Sequence, residues 1–328
     1  MASQTSRPIF VGDTALHQMT HEVCGEYVSM LDDTFYKIKN YDGMPPFFMS
    51  IVSSSDHWMF ISSTGGLTAG RVSAEQALFP YYTDDKITEN FENTGNKTIL
   101  LVRHGNQTNL WEPLSNRYRG VYQVERNIYK NIPGTAILFE EINHTLNVVY
   151  RYAWRTSDQF GFVKTTWLKN IEDSLCEIDV VDGIQNILPA NVTSQTQNIF
   201  SPLLDAYKRA ELDPETGLAI FALNSTLTDL AEPSESLLAT TVMQLGLDQA
   251  DYLLSSQQLD AFRSGLGITT EIEARGRRNA YFVRTSFELK SEAERSWHIV
   301  ADVSQDSVAV VRLSNNIKRK RNREPKIQ

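Results

Sequence analysis

The chain has 328 residues, of which 41% are hydrophobic, and a formal net charge of −9. This size and apolar content allow one large core or two modest ones, which excludes general disorder. The acidic balance argues against the concentrated basic face of a nucleic-acid-binding protein. No apolar run approaches the ~20 residues that span a bilayer, so we expect neither nucleic acid nor membrane as a partner.

The first segment has a helical period. Asp13 can cap a helix whose apolar positions recur at three- and four-residue steps, namely Leu16, Met19, Val23, Tyr27, Met30 and Leu31. We therefore expect an N-terminal helix and lead-in over residues 1–45. His17, His21 and Cys24 would share one face of that helix, but the HExxH pattern of zinc proteases is missing, so no metal site is predicted.

After residue 46 the pattern changes to short strands separated by Gly, Asn, Asp and Ser. The clearest is Leu146 to Thr156, where Val148, Tyr150, Tyr152 and Trp154 alternate with Arg151 and Arg155, as in a half-buried antiparallel strand. Further strands are predicted at 47–53, 58–62, 98–103, 121–129, 136–142, 160–168, 175–181, 218–223, 237–245, 279–289, 297–303 and 308–313.

Helical spacing returns only at 203–210 and 248–263. So many strands with so few helices predict a mainly β fold: a large antiparallel β-super-sandwich with a few peripheral helices. Two cysteines, Cys24 and Cys176, provide no disulfide framework, and no signal peptide is visible, so we expect a reducing, cytoplasmic location.

The segment 53–86 packs glycines, hydroxyls, aromatic rings and charges together. Its glycines at 65 and 70 have the spacing of a phosphate-binding P-loop, but Arg71 replaces the lysine and Val72 the metal-binding hydroxyl, so no nucleotide site is predicted. The glycines either permit a tight turn between strands or shape a binding surface.

Two carboxylate doublets are candidates for glycoside chemistry, Asp84–Asp85 and Glu140–Glu141. Hydrolysis needs two carboxylates, whereas phosphorolysis needs only an acid because phosphate is the nucleophile. Adjacent strand residues point to opposite faces, so Glu140 and Glu141 cannot both contact one sugar ring. Asp84, Asp85 and Lys86 form either a solvated turn or a hydrogen-bonding rim.

An isomerase of the mutarotase type would instead pair a histidine with a glutamate across the sugar. His57, His104, His144 and His298 lie in the β region, but their spacing places none of them beside a carboxylate. The five tryptophans could stack on sugars, although a tryptophan in a strand more often belongs to the core.

Several segments combine glycines, hydroxyls and aromatic residues in a recognisable order: MFISSTGGLTAGR, ALFPYYTDDKI, FEEINH, VVDGIQNILPA, ALNSTLTDLAEPSESLLATTV, RGRRNAYFVRTSFEL and SWHIVADV. Together, from about Phe47 to Leu313, they resemble the N-terminal β-super-sandwich of bacterial cellobiose phosphorylase-like proteins. That domain is similar to the galactose mutarotase fold. The resemblance places the sandwich at residues 46–314 and a basic linker or cut end at 315–328.

In that family, the sandwich is followed by an (α/α)6 barrel that carries the general acid and the phosphate site. No long run of amphipathic helices is present, so the resemblance implies either a fragment of a longer protein or a domain that stands alone. It implies packing on a downstream catalytic domain, a homodimer and an oligosaccharide ligand. It also implies no cofactor, with inorganic phosphate as co-substrate of the full-length enzyme.

The resemblance therefore predicts a carbohydrate-binding accessory domain of an inverting glycoside phosphorylase, inactive alone. No catalytic residue transfers to this chain. The predicted sugar-binding residues are Thr68, Arg71, Asp84, Asp85 and Lys86, chosen for their chemistry and their position in the segment. The alternatives are a mutarotase-like sugar epimerase and a non-catalytic sugar-binding or dimerisation module.

Overall fold

A computed structural model describes residues 8–17, 22–225 and 237–321. The strands before residue 112 are β1 (Phe10–Val11), β2 (Thr14–Ala15), β3 (Cys24–Met30), β4 (Asp33–Lys39), β5 (Phe48–Ile51), β6 (His57–Ser62), β7 (Leu67–Arg71), β8 (Ala77–Phe79), β9 (Gly95–His104) and β10 (Gln107–Trp111). The later strands are β11 (Val124–Asn131), β12 (Ala136–Asn143), β13 (Val148–Ser157), β14 (Gly161–Asn170), β15 (Cys176–Ile187), β16 (Lys208–Asp213), β17 (Leu218–Leu223), β18 (Leu238–Leu245), β19 (Asp251–Leu253), β20 (Glu273–Arg275), β21 (Asn279–Leu289) and β22 (Glu294–Asp306).

The described helices are short except for the last. They are α1 (Asp84–Glu89), α2 (Ser194–Ile199), α3 (Ser201–Tyr207), α4 (Leu259–Arg263) and α5 (Ser307–Arg321). Two 3-10 helices occupy Tyr41–Gly43 and Asn90–Glu92. In the described part of the chain, none of the helices has the length and apolar character that crossing a membrane requires.

Eleven strands form one large antiparallel sheet in the order β20-β16-β17-β18-β22-β14-β13-β12-β11-β4-β3. A five-stranded sheet, β10-β9-β15-β21-β19, shares a core with it, and the four-stranded sheet β5-β6-β7-β8 adds to the same core. Tyr150 and Trp154 come from the large sheet, Val180 and Tyr281 from the five-stranded sheet, and Met59 from the four-stranded sheet. The predicted mainly β, antiparallel sandwich with peripheral helices is confirmed.

The alternation read from Leu146 to Thr156 is confirmed in β13. Val148, Tyr150, Tyr152 and Trp154 are each at most 1% exposed, and Arg155 is exposed on the other face. Every other predicted strand except 308–313 overlaps an observed strand. Period-two patterning succeeds because one face of each strand enters the core between the sheets.

The predicted N-terminal helix is wrong over residues 24–30, which form β3. Left-handed backbone at Leu31 and Asp32 turns the chain directly into β4, and Tyr27 then lies opposite Tyr36 in the antiparallel pair. Their rings make an edge-to-face contact at 5.2 Å. Cross-strand pairing outweighs the helical period here. Of the three residues that would share one face of the predicted helix, His21 lies outside the described residues and Cys24 is exposed.

The predicted strand at 308–313 is also wrong, because the helix α5 covers it, and α5 continues to Arg321, within the predicted linker or cut end at 315–328. Asp306 caps it by accepting a hydrogen bond from the Ala309 backbone at 2.7 Å. Val310, Leu313 and Ile317 are spaced three and four residues apart, and they pack with apolar residues of the large sheet.

The two predicted helical stretches are only partly helical. The segment predicted at 203–210 is helical to Tyr207 and then becomes β16. The segment at 248–263 contains β19 before α4. In both segments, pairing with a neighbouring strand (β20 for β16, β21 for β19) replaces part of the helix.

Candidate functional site

The glycine-rich segment forms most of the four-stranded sheet. Gly65, with a φ of +95°, lies in the tight turn between β6 and β7, where the Ser62 backbone donates to the Gly66 carbonyl at 2.8 Å. A left-handed φ of this kind favours glycine. The interpretation as a turn between strands is therefore confirmed for Gly65, whereas Gly70 lies within β7.

Two of the five predicted sugar-binding residues lie in β7. Thr68 is 1% exposed, and its hydroxyl points to the Phe79 carbonyl at 3.5 Å. Arg71 pairs with Asp56 at 2.9 Å and with Asp302 at 3.0 Å, so it ties β7 to β22. Thr68 thus belongs to the core, and Arg71 is engaged by two carboxylates.

The other three, Asp84, Asp85 and Lys86, are exposed in the first turn of α1. The Lys86 ammonium lies 5.4 Å from the centre of the Tyr82 ring. A hydrogen bond from Thr83 lowers the pKa of Asp85. The structure does not bring the five predicted residues together, and their contact with a sugar stays a prediction.

A cleft of about 630 Å³ lies between α4 and the 3-10 turn that follows α1. We call it the carboxylate cleft. The residues that line it include Phe91, Glu92, Asn93, Lys97, Asn116, Arg117, Gln185, Asp260 and Arg263. Its volume is within the usual range for small-molecule sites. Five separate segments of the chain supply these side chains.

Lys97 connects two carboxylates at the cleft. Its ammonium lies 2.7 Å from Glu92 Oε2 and 2.7 Å from Glu112 Oε2. Arg263, at the end of α4, donates to both Glu112 oxygens at 2.7 and 3.1 Å. The Glu112 side chain is fully buried beneath these two cations. An ion-pair network therefore joins β9, β10 and α4.

Both carboxylates are held in the ionised form. Burial alone would raise the pKa of Glu112, but hydrogen bonds from Arg263 and Lys97 together with the charge of Lys97 outweigh it and lower the pKa. For Glu92, burial is likewise outweighed by Lys97 and by a hydrogen bond from Ser115, so its pKa is also lowered. Neither group is a proton donor near neutral pH.

The loop that follows β10 is fixed from below by a buried ion pair. Glu141 accepts from Arg126 Nε at 2.7 Å and from the Leu114 backbone at 2.8 Å. Arg126 also donates to the Ser115 carbonyl at 2.6 Å and to Asn116 Oδ1 at 3.1 Å. These contacts fix the positions of Asn116 and Arg117 at the rim of the cleft.

The sequence did not indicate this cleft. Glu92, Lys97, Glu112 and Arg263 belong to no motif, and they meet only because β9 pairs with β10 and α4 packs nearby. The sequence offered one indication of the cleft: Glu92 lies shortly after the predicted residues Asp84, Asp85 and Lys86, at the end of the 3-10 turn that follows their helix α1.

In the part of the chain that the structure describes, the histidine–glutamate chemistry of an isomerase has one candidate contact, between His104 Nδ1 and Glu172 Oε2 at 3.1 Å. The other ring nitrogen, Nε2, is buried without a hydrogen-bond partner. His298 instead contacts the Thr165 hydroxyl at 2.9 Å. Within the described residues, no group of three His, Cys, Asp or Glu side chains could hold a metal ion.

Comparisons with known proteins give distant structural likenesses. No family model matches the chain. No curated protein matches it either. Among solved structures, it is similar to a polysaccharide lyase, with a TM-score of 0.45, 10% identity and coverage of 83% of this chain and 34% of the other. It is also similar to an aldose 1-epimerase candidate from Escherichia coli K12, with a TM-score of 0.41, 9% identity and coverage of 79% and 99%.

A third likeness is to a bacterial glucoamylase complexed with acarbose, with a TM-score of 0.35, 9% identity and coverage of 84% of this chain and 37% of the other. The chain therefore spans about a third of the length of the lyase and the glucoamylase. Likenesses at this level do not establish a shared activity. The resemblance of the sequence to cellobiose phosphorylases stays a hypothesis.

Proposed function

We propose that this chain is a carbohydrate-binding accessory domain of a longer carbohydrate-active enzyme, and that an oligosaccharide occupies the carboxylate cleft. The observation that supports this is the mixture of donors and acceptors around the cleft: the amides of Asn93, Asn116 and Gln185 line it together with Arg117 and Glu92. A sugar hydroxyl both donates and accepts hydrogen bonds, so it suits such a surface.

The aromatic ring of Phe91 adds an apolar element to the same wall, and it is partly exposed. Carbon-bound hydrogens on one face of a pyranose ring can pack on such a ring. α1 leads directly into this wall through the 3-10 turn. The predicted residues Asp84, Asp85 and Lys86 would then extend the binding surface outward from the cleft.

The proposed role is binding and not bond cleavage. Glycoside cleavage requires a carboxylic acid whose pKa is raised, so that it can protonate the leaving oxygen. Glu92 and Glu112 have lowered pKa values and remain carboxylates. This supports an accessory domain whose general acid lies elsewhere. A phosphorylase partner domain, inorganic phosphate as co-substrate and a homodimer are further parts of the same proposal.

Calorimetric titration with a panel of neutral oligosaccharides tests the proposal. We expect binding of at least one of them, and about fivefold weaker binding in Arg117→Ala, since one hydrogen bond contributes about 1 kcal/mol. Arg275→Ala is the matched control, because Arg275 is an exposed arginine on β20 that pairs with Glu273 and lines no part of the cleft. No heat with any glycan, or equal losses in both variants, would contradict the proposal.

A further inference from the structure

We infer that Glu112 makes the carboxylate cleft selective for neutral sugars, because it neutralises the cations that would otherwise bind the carboxylate of an acidic sugar. This inference rests on the proposed function.

Glu112 lies at the centre of three cations. The Lys97 ammonium is 2.7 Å away, Arg263 donates two hydrogen bonds, and Arg117 Nε lies at 3.7 Å. The glutamate side chain has no exposed surface, whereas Lys97 and Arg263 keep a small exposed fraction toward the cleft. Glu112 therefore neutralises these cations from behind.

The charges around the cleft cancel. Three cations, Lys97, Arg117 and Arg263, stand against three carboxylates, those of Glu92, Glu112 and Asp260. Each cation has a carboxylate within 4 Å. The carboxylate of a bound uronic acid would lose its hydrating water without gaining an unpaired cation, and Glu92 and Asp260 would repel it. The hydroxyl groups of a neutral sugar carry no charge, so they avoid both this desolvation cost and this repulsion.

Removing Glu112 should reverse this preference. Glu112→Ala leaves a space of carboxylate size beside Lys97 and Arg263, and the cleft gains one net positive charge. A free carboxylate can then occupy the space and form charge-assisted hydrogen bonds with the same donors. Small carboxylates such as acetate should therefore stabilise the variant, independently of any sugar.

The first experiment is thermal unfolding of the full chain in sodium acetate and in sodium chloride at equal ionic strength. Acetate should raise the melting temperature of Glu112→Ala relative to chloride, and it should not do so for the wild type. Asp260→Ala is the matched control, because it removes an exposed carboxylate from the same arginine, and it should show no acetate effect. Absence of acetate stabilisation in Glu112→Ala overturns the inference.

The second experiment is calorimetric titration with a neutral oligosaccharide and with an oligouronide of equal length. The wild type should bind the neutral ligand at least tenfold more tightly, and Glu112→Ala should gain affinity for the oligouronide. If the alanine variant does not fold, the nearly isosteric Glu112→Gln tests the charge alone: it removes the negative charge that neutralises Lys97 and Arg263 without opening a space, and its affinity for the oligouronide should still rise.

The outcomes separate the two proposals. A wild type that binds the oligouronide as tightly as the neutral ligand overturns the selectivity and leaves the proposed function standing. A wild type that binds neither glycan, although acetate stabilises Glu112→Ala, overturns the proposed function and the selectivity that rests on it. Binding of the neutral ligand alone, with gain of oligouronide binding in the variant, supports both.

Discussion

Glu140 and Glu141 are neighbours in β12, yet their carboxylates lie on opposite faces of the large sheet and bind different arginines. Glu140 pairs with Arg151, and Glu141 pairs with Arg126 at 2.7 Å. Both carboxylates are 2% exposed. The expectation that these two residues cannot contact one sugar is confirmed, because strand side chains alternate between faces. The pair also supplies a matched experiment on the cleft.

Glu141→Gln should weaken glycan binding about tenfold, while Glu140→Gln should leave it unchanged. Only Glu141 contacts the loop after β10, through the Leu114 backbone and through Arg126. Breaking a buried ion pair on one side costs roughly 3–5 kcal/mol of stability in either variant. Calorimetric titration reports the difference between them.

Hydrogen–deuterium exchange of residues 112–117 separates positioning from general destabilisation. We expect faster exchange in this loop in Glu141→Gln and wild-type exchange there in Glu140→Gln. Equal glycan affinities in the two variants, with equal exchange in the loop, would show that Glu141 has no role in shaping the cleft.

A second buried ion pair joins the two main sheets. Lys164 in β14 lies 2.6 Å from Asp182 in β15, and neither side chain is exposed. Asp182 also accepts from Trp297 Nε1 at 2.7 Å and from the Thr98 hydroxyl at 2.6 Å. We predict that Asp182→Asn lowers the free energy of unfolding by roughly 3–5 kcal/mol, since the Lys164 ammonium would be buried without a counter-charge.

Urea denaturation measures this effect, and the double variant Lys164→Met, Asp182→Asn is its control. Removing the ammonium should recover a large part of the loss, because the asparagine oxygen can still accept from Trp297 Nε1 while its amide nitrogen donates to the Thr98 hydroxyl. A double variant no more stable than Asp182→Asn would mean that the buried charge is not the cause.

The strands were predictable, and the site was not, for physical reasons. In β13, burial of one face imposes an alternation of apolar and polar residues that can be seen in the sequence. The pattern at residues 24–30 led to a wrong prediction of helix because a partly exposed edge strand has few buried positions. The Tyr27–Tyr36 contact that stabilises this strand cannot be predicted without knowing how β3 and β4 pair. Glu92, Glu112 and Arg263 are brought together by tertiary packing, which leaves no local pattern.

Acidification below about pH 6.5 should reduce stability because of His298. Burial lowers the pKa of this imidazole from its ordinary value of 6.5. The unfolded chain therefore takes up a proton at a higher pH than the folded one. Stability is then fully present above about pH 6.5 and falls as the pH drops toward the folded pKa, by at most about 1.4 kcal/mol per pH unit for one proton.

Urea unfolding between pH 7.5 and pH 5 checks the sign of this effect. We expect a shallower pH dependence in His298→Gln than in the wild type. His144→Gln is the matched histidine variant, because His144 is exposed. A wild-type stability that increases on acidification through this range would contradict the assignment to a buried neutral histidine.

Gly66 should resist substitution because the β6–β7 turn packs directly on α1. A Cβ at residue 66 would lie 1.9 Å from the Ile87 carbonyl oxygen, which belongs to the helix backbone and cannot rotate away. Gly66→Ala should therefore destabilise the chain by roughly 1–3 kcal/mol, as overpacking does. Because α1 leads into the turn that carries Glu92, the same variant should also weaken glycan binding. Gly267→Ala is the matched control, since a Cβ there meets no atom within 4 Å, and equal melting temperatures for the two variants would contradict this packing.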